Sequence, residues 1–242
     1  MVAQYFGSWI GILWNVVFPS LVLVAYLAVF EFSPKFAFGG WNTVGGYGVN
    51  LIAALVPWML FQEGVTRASN AYVEQRHLLT QIPVPAPLFP LANVASALFR
   101  HGVGLGVVAI LLLSSGINTG AHWLALGYLI PLTLLLTAST ALIVACLTVV
   151  NRDVAPAVAA GMLPFFFTTP VIYPPHYVPV PLRPIMDLNP LTPVVSAYRD
   201  VLVTGIIPPT EGLLWSAAVG VVLLGIGVVL VRHLGPELPE RV

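Results

Sequence analysis

Long stretches of this sequence carry no charged side chain, and few folds are compatible with that pattern. Nine Lys and Arg and nine Asp and Glu make up 7% of the 242 residues, whereas about 25% is usual in soluble domains. A helix needs about 20 mostly apolar residues to cross a bilayer. Six windows meet or approach this requirement: 9–30, 47–66, 88–113, 123–150, 154–173 and 212–232. The sequence therefore predicts one all-α transmembrane domain over residues 1–242, a polytopic membrane protein with six transmembrane helices.

The charge balance and the missing motifs exclude several classes of function. The formal net charge is zero, so no basic field is available for a nucleic-acid backbone. The single cysteine, Cys146, cannot form an intrachain disulfide and is expected to be a buried apolar residue. No phosphate-binding P-loop, H-E-x-x-H or G-x-S-x-G motif is present. We predict no catalytic residue, no metal site and no cofactor bound by this chain, and we interpret the glycines at 102, 104, 106, 220, 225 and 227 as helix-packing positions.

A proline-rich segment precedes the last apolar window. Eight of the 22 prolines lie between Pro170 and Pro193, and no straight spanning helix tolerates that density. The segment is nevertheless rich in Val, Ile, Leu and Tyr, so it is predicted to lie at the membrane surface or to re-enter the membrane. Irregular backbone at that depth is tolerated only against protein or a water-filled cavity. We predict a re-entrant region over about 170–205 that could act as a gate, with a plain surface loop as the alternative.

Polar residues follow the second window with helical spacing. Glu63 and Arg67 are four residues apart, as are Asn70 and Glu74, which places each pair on one helix face. We predict a short helix over about 67–80, which could be either a grip for a soluble partner or an interfacial helix with a solvated charged face. Asn151, Arg152 and Asp153 form a tight charged turn between the fourth and fifth windows, although such turns also mark helix ends at lipid headgroups.

The arginines give the orientation and pose one problem. Five arginines, at 67, 76, 152, 232 and 241, fall on the side of the termini, against Lys35, Arg183 and Arg199 on the other side. The positive-inside bias therefore predicts cytoplasmic N- and C-termini. Arg100 and His101 fall near the middle of the third window. Either they line a polar conduit and meet an anionic substrate, or that helix starts later and Arg100 extends to the interface.

Four stretches of the sequence carry a resemblance to a known family. The opening GSWIGILWNVVFP has the pattern S-x-x-G-x-x-W-x-x-x-x-P, and PWMLFQEGVTRASNAYVEQRHLL resembles the family's second span and the cytoplasmic helix after it. NRDV resembles a short R-D-[VI] turn. TPVIYPPHYVP and LNPLTPVVSAYRDVLVTG are similar to its T-P-V-[IL]-Y-P, L-N-P and Y-R signatures. The chain thus resembles the permease subunits of type 2 ABC exporters, in the branch that moves lipid-linked polysaccharides such as O-antigen, capsule and teichoic acid.

The resemblance implies a mechanism and a set of residues. Two copies of the chain would form a conduit for a polyprenyl-linked glycan, and two separate ATPase subunits, holding ATP and Mg²⁺, would bind on the cytoplasmic side of the plasma (inner) membrane. The coupling contacts to the ATPases would be Arg67, Asn70, Tyr72, Glu74, Arg76, Asn151, Arg152 and Asp153. The conduit and its gate would include Tyr5, Trp9, Trp14, Arg100, His101, Pro170, Tyr173, Pro174, Asn189, Pro190, Tyr198 and Arg199.

Aromatic rings suit a sugar conduit because a ring face packs against the apolar face of a pyranose, although Tyr5, Trp9, Trp14 and Tyr173 could equally anchor the chain at the membrane interface. Two features depart from the family pattern: only residues 1–7 precede the opening motif, and TQIPVPAPLFP is neutral where a basic F-P-R-E element is common.

Two other functions remain open from the sequence. One is a type 2 ABC permease for drugs or small lipids. The other is an intramembrane enzyme acting on polyprenyl-linked sugars, with Arg100, His101, Asp187 and Arg199 as participants, which requires these four groups to converge in one cavity. The single lysine beside eight arginines is typical of a GC-rich genome, so a cell-wall galactan joins the candidate polymers.

Overall fold

The structure is a computed structural model, and it describes residues 46–81, 84–117, 120–173, 178 and 180–238. All elements in these residues are helical, which confirms the all-α class. The α-helices are α1 (Gly46–Ser69), α2 (Ala71–Glu74), α3 (Arg76–Gln81), α4 (Leu88–Ser114), α5 (Leu126–Val150), α6 (Val154–Thr168), α7 (Arg183–Leu188), α8 (Leu191–Arg199) and α9 (Thr210–Leu234). Three 3₁₀-helices cover Gly120–Ala125, Val180–Leu182 and Gly235–Glu237, and a π-helix over Asp200–Thr204 continues α8.

Helix α1 is the most buried of the long helices in the described part of the chain. It packs against α4, α5, α6 and α8, and α9 packs along α5. Within the apolar windows of these helices, 78% of α1 is buried, compared with 28% of α4 and 22% of α9. A helix that is apolar all round and only partly covered by protein needs an apolar solvent for its remaining surface. The exposed faces of α4 and α9 are therefore suited to contact with lipid or with other membrane helices.

The long helices match four of the six predicted spans. Four described stretches, Gly48–Ser69, Leu88–Ser114, Gly120–Val150 and Thr210–Glu237, are long and apolar enough to cross a membrane. The predicted fifth span, 154–173, corresponds to α6, a shorter apolar helix that ends at Thr168. It ends there because Thr169 precedes Pro170, and a residue before proline is disfavoured in the helical region; Thr169 is extended, with φ −99° and ψ 131°. The predicted first span, 9–30, lies outside the described residues.

The structure does not contain the single cytoplasmic helix that was predicted over 67–80. Helix α1 continues through Arg67 to Ser69, and α2 and α3 follow as two separate short helices. The breaks fall at Asn70 (φ −98°, ψ 5°) and Gln75 (φ −110°, ψ 24°). Ser69 donates its hydroxyl hydrogen to the carbonyl of Thr66, a local bond of the kind that competes with continued helix. The chain after α1 is therefore divided into two short helices and does not form one continuous helix.

The proline-rich segment contains more helix than its composition suggests. Prolines stand at helix starts, where their missing N–H costs nothing: Pro190 lies directly before α8, and Pro184 and Pro193 lie in the first turns of α7 and α8. Helix α8 is largely buried against α1, while α7 exposes most of its side chains. The π-helix ends at Gly205, whose φ of 64° is in the left-handed region that glycine adopts most readily.

The last helix confirms the packing role of two glycines. A Cβ on Gly220 would lie 2.9 Å from Cγ of Leu135, and one on Gly227 would lie 3.0 Å from Cβ of Leu142. The small residues thus allow α9 to approach α5 closely. A Cβ on Gly102, Gly106 or Gly225 would meet nothing within 4 Å, so the interpretation does not extend to those positions.

Candidate functional site

An exposed polar surface lies at one end of the bundle, which we call the Tyr72 end. It is formed by the end of α1, by α2 and α3, and by the ends of α5 and α9. Six of the eight residues proposed to contact an ATPase are exposed there: Arg67, Glu74, Arg76, Asn151, Arg152 and Asp153. We call this set the polar tip. It is the largest group of exposed charges that the described residues bring to one end of the protein.

The polar tip is fixed to the bundle by the two remaining residues of that set. Asn70 is half-buried at the break after α1, and its carbonyl accepts a hydrogen bond from the Glu74 amide. Tyr72 is fully buried, with its ring 6.3 Å from that of Phe89 on α4. Burial raises the pKa of the Tyr72 phenol, which lies beside Cys146 of α5. Tyr72 is therefore an anchor of α2 inside the protein, and the sequence missed this because a fully buried tyrosine has no distinct pattern in a short polar helix.

The 151–153 turn is ordered by its own hydrogen bonds. The Asn151 side-chain oxygen accepts the Asp153 amide hydrogen at 2.9 Å, and the Asn151 carbonyl accepts that of Val154 at 3.1 Å. This turn reverses the chain between α5 and α6 within three residues. Because α2 packs against α5, the turn and the short helices belong to the same end of the bundle.

An ion-pair cluster connects the base of the polar tip to the bundle. The Glu63 carboxylate forms an ion pair with Arg67, whose Nε lies 2.9 Å away, and accepts a hydrogen bond from Nε of Arg100 at 2.7 Å. The first pair has the i,i+4 spacing read from the sequence, whereas nothing in the sequence links Arg100 to Glu63. The side chain of Arg100 is 11% exposed and that of Arg67 is 53% exposed. The charge in the middle of the third predicted span is thus neutralised within the protein, by a carboxylate on α1.

A hydrogen-bonded chain crosses the middle of the bundle from α1 to α8. His101 Nδ1 lies 3.2 Å from the Val56 carbonyl, which can only accept, so Nδ1 carries the proton. Nε2 of the neutral ring then accepts the hydroxyl hydrogen of Tyr198 at 3.2 Å. The Tyr198 oxygen in turn lies 3.4 Å from the Thr133 hydroxyl of α5. His101 and Tyr198 were both predicted site residues, and the structure brings them into direct contact.

The opposite end of the bundle contains the start of α1, the end of α6 and the proline-rich segment, and we call it the Tyr198 end. Arg199 holds these parts together. This buried guanidinium donates to the carbonyls of Pro170 at 2.8 Å and Val171 at 3.2 Å, and to that of Asn50 at 3.4 Å. Asn189 makes a second link, because its amide donates to the Thr169 hydroxyl at 2.8 Å while its side-chain oxygen accepts the Leu191 amide hydrogen. Together these bonds attach the proline-rich segment to the start of α1 and to the end of α6.

The remaining gate and conduit residues are only partly described. Tyr173 is half-buried and donates its hydroxyl hydrogen to the Phe167 carbonyl. Pro170 is buried, and Pro190 accepts the Ser216 hydroxyl hydrogen at 2.7 Å through its carbonyl. Tyr5, Trp9, Trp14 and Pro174 lie outside the described residues. The conduit role of all these residues stays a prediction.

The groups proposed for an intramembrane enzyme do not meet in one described cavity. A small cavity of about 20 Å³ is lined by Glu63, Arg100 and His101, but not by Asp187 or Arg199. Asp187 is exposed on α7, whereas Arg199 is buried and bonded to backbone carbonyls. Within the described residues no three His, Cys, Asp or Glu side chains are grouped as metal ligands would be. These positions give the enzyme hypothesis no geometric support.

Comparison with known proteins agrees with the apolar, helical architecture of a membrane transport protein. Residues 1–203 match the family model described as ABC-2 type transporter. The O-antigen export system permease protein RfbA of Myxococcus xanthus is 27% identical over 231 residues, which are 92% of this chain and 84% of that protein. Two proteins of the same name from Klebsiella pneumoniae are 24% and 23% identical, each over 84% of this chain and over 76% and 77% of their own lengths.

Proposed function

Because the chain belongs to the ABC-2 type transporter family, we propose that it is the permease subunit of an ATP-driven exporter in the plasma (inner) membrane. ABC-2 permeases work with ATPase subunits, which supply the nucleotide chemistry. The proposed substrate is a lipid-linked polysaccharide or a related cell-envelope polymer, moved from the cytoplasm to the outside. The relatives named O-antigen export permeases, which align with 84–92% of the chain, support this substrate class.

The proposed assembly contains two copies of this chain, six spans in each, and two ATPase subunits below them. Both termini lie in the cytoplasm, and the Tyr72 end faces the ATPases. The observation that carries the coupling part of the proposal is the construction of the polar tip. Glu74 and Arg76 stand on the short helices α2 and α3, and Tyr72 fixes α2 to α4 and α5. Arg67, at the base of the tip, shares Glu63 with Arg100. A push on the tip therefore acts directly on the spanning helices.

The coupling role is tested by removing one exposed charge at each end of the bundle. Glu74 at the Tyr72 end and Asp187 at the Tyr198 end are both exposed acids on short helices, so Glu74→Ala and Asp187→Ala form a matched pair. We expect Glu74→Ala to weaken co-purification with the ATPase, or to lower the ATPase activity that depends on substrate, while the membrane level of the permease is unchanged. Asp187→Ala should behave as wild type. Equal effects of the two changes would contradict the proposed contact surface.

The transport role is tested in the organism that carries the chain. Depletion should leave lipid-linked glycan on the cytoplasmic side of the membrane and reduce the amount at the surface, and expression of the wild-type chain should restore it. Normal surface glycan after depletion would refute the proposed substrate. Accumulation of a drug or of a small lipid instead would indicate the other branch of the family.

The orientation is tested with single cysteines, since the chain has only Cys146, which is fully buried. In a Cys146→Ala background, an impermeant maleimide applied to spheroplasts should label Asp187→Cys but not Glu74→Cys. Inside-out vesicles should give the reverse. Labelling of Glu74→Cys from outside would invert the proposed topology.

A further inference from the structure

An apolar cavity of about 290 Å³ lies beside helix α6. Its walls come from four spanning or near-spanning helices, with Phe61 on α1, Leu136 on α5, Met162 and Phe165 on α6, and Leu223 on α9. Pro190 and Leu191, at the start of α8, close it at the Tyr198 end. We call this space the α6 cavity. It is separate from the small cavity beside Glu63 and Arg100.

The chemistry of the α6 cavity allows only an apolar occupant. Thr140 carries the single hydroxyl of the lining side chains, and it is used inside α5, where it donates to the Leu136 carbonyl at 2.8 Å. A buried water needs two to four polar partners, and apolar cavities without them stay dry. A ligand of this site must therefore be a hydrocarbon.

The size of the cavity sets the length of hydrocarbon that it can hold. An apolar cavity of roughly 150 Å³ is known to bind benzene. The α6 cavity has about twice that volume, which corresponds to roughly ten to twelve carbon atoms by the same comparison. This is the size of two five-carbon isoprene units, so the cavity would take a segment of a long chain and not a complete lipid.

The entrance to the cavity lies along the exposed side of α6. Gly161 lines the cavity and is exposed, and a Cβ at this position would meet nothing within 4 Å. The neighbouring residues Ala157, Ala160 and Pro164 are also exposed and short. A chain can therefore reach the cavity at Gly161, where no side chain blocks it, while the large exposed side chains of this helix, Leu163 and Phe167, lie further along it.

We propose that the α6 cavity binds a segment of the isoprenoid tail of the lipid-linked substrate; this inference rests on the transport function proposed above. Two features favour the tail of the substrate over an acyl chain of the bilayer. The cavity ends against Pro190 and Leu191, whose neighbour Asn189 bonds Thr169 at the end of α6, so its occupant touches the segment proposed to gate export. Its aromatic walls, Phe61 and Phe165, with ring centroids 5.8 Å apart, are rigid surfaces suited to a methyl-branched, unsaturated chain.

The experiment uses the permease assembled with its ATPase in nanodiscs and a polyprenyl phosphate that carries a benzophenone on its isoprenoid chain. After illumination, we expect mass spectrometry to locate the crosslink on α6, at Met162 or next to it. Unlabelled polyprenyl phosphate should compete for the site, and an excess of phosphatidylglycerol should not. Equal competition by the two lipids would show that the cavity holds ordinary acyl chains and would overturn the proposal.

Two matched variants fill space at different places. Gly161→Leu puts a side chain at the cavity entrance, whereas Gly225→Leu adds the same side chain on the exposed side of α9, where a Cβ also meets nothing within 4 Å. We expect Gly161→Leu to reduce crosslinking to a small fraction of the wild-type level, because the leucine side chain would occupy the space through which the tail enters. Gly225→Leu should crosslink as wild type.

Foldedness and transport are measured on the same preparations. Both variants should retain wild-type membrane levels and co-purify with the ATPase. Val158→Phe, which narrows the cavity from a second position on α6, provides an independent test if Gly161→Leu does not accumulate. This inference alone would be refuted if the wild-type permease exports glycan and the variants Gly161→Leu and Val158→Phe crosslink and export as the wild type does. Absence of glycan export by the wild type would refute the proposed function instead.

Discussion

Replacing Glu63 by glutamine is expected to destabilise the bundle strongly, because its carboxylate pairs both with Arg100 on α4 and with Arg67 at the base of the polar tip. The Arg100 side chain is 11% exposed and its Nε lies 2.7 Å from the carboxylate. Removing one partner of a buried ion pair typically costs about 3–5 kcal/mol, since the other charge is left uncompensated. Glu63 itself is 25% exposed, so we expect a loss of about 3 kcal/mol, near the lower end of this range.

The second arginine of the cluster supplies the control. Arg67 is bonded to the same carboxylate but is 53% exposed, and exposed i,i+4 pairs contribute only about 0.3–0.5 kcal/mol. Arg67→Gln should therefore change stability little. A double variant, Glu63→Leu with Arg100→Leu, should be far more stable than Glu63→Gln, because replacing a whole buried pair by apolar side chains is often neutral or stabilising.

The assay is thermal unfolding in nanodiscs of one lipid composition at one scan rate, since unfolding of such a protein is a rate-dependent measurement. A loss of about 3 kcal/mol corresponds to a fall of roughly 6–12 °C in the unfolding temperature of Glu63→Gln. An unfolding temperature within about 2 °C of wild type, or equal losses in Glu63→Gln and Arg67→Gln, would refute the assignment of Arg100 to an internal ion pair. A double variant no better than Glu63→Gln would show that the apolar packing around the pair is the dominant effect.

Two further changes test the interior contacts. Gly64→Ala should cost about 1–3 kcal/mol by overpacking, because its Cβ would lie 2.5 Å from Cγ2 of Thr137. The control, Gly225→Ala, places its Cβ in open space and should be neutral or slightly stabilising. Equal unfolding temperatures for the two variants would contradict the close approach of α1 and α5. Tyr198→Phe should cost roughly 1 kcal/mol and leave His101 Nε2 without its donor, whereas Tyr128→Phe, at a 45% exposed position, should not differ from wild type. A larger loss of stability in Tyr128→Phe than in Tyr198→Phe would exclude the proposed role of the buried hydrogen bond.

The sequence predicted those parts of the structure that depend on composition and periodicity. The apolar windows locate α4, α5 and α9 because a bilayer tolerates only backbone that is hydrogen-bonded internally, so a long charge-free run has few alternatives to helix. The i,i+4 spacing also predicted the Glu63–Arg67 pair. These are local properties, and no tertiary information is needed to read them.

The hydrogen-bond and ion-pair partners of the buried polar residues could not be predicted from local sequence patterns. Arg100 and Glu63 are 37 residues apart in the chain, and His101 and Tyr198 are 97 apart. Arg199 is bound by backbone carbonyls of Asn50 and Pro170, and every residue has a carbonyl, so no side-chain pattern marks these partners. The sequence also predicted too long a fifth span. Its apolar run continues through Val171 and Ile172, whereas α6 ends at Thr168, before Pro170.

The polar contacts of α1 explain how the two ends of the protein could act together. Along this helix, the Asn50 carbonyl holds Arg199, the Val56 carbonyl holds His101, and Glu63 holds Arg100. From Asn50 to Glu63 the helix rises by about 20 Å, so one element carries contacts from the segment proposed as a gate to the base of the polar tip. Pro57 lies between these contacts and removes one backbone hydrogen bond from the helix, the kind of position at which helices bend. The contact of His101 with Val56 and Tyr198 lies next to this weak point. It joins α1 to α4 and α8 beside Pro57, and we expect it to let movement of the polar tip pass along α1 to Arg199 instead of being absorbed at Pro57.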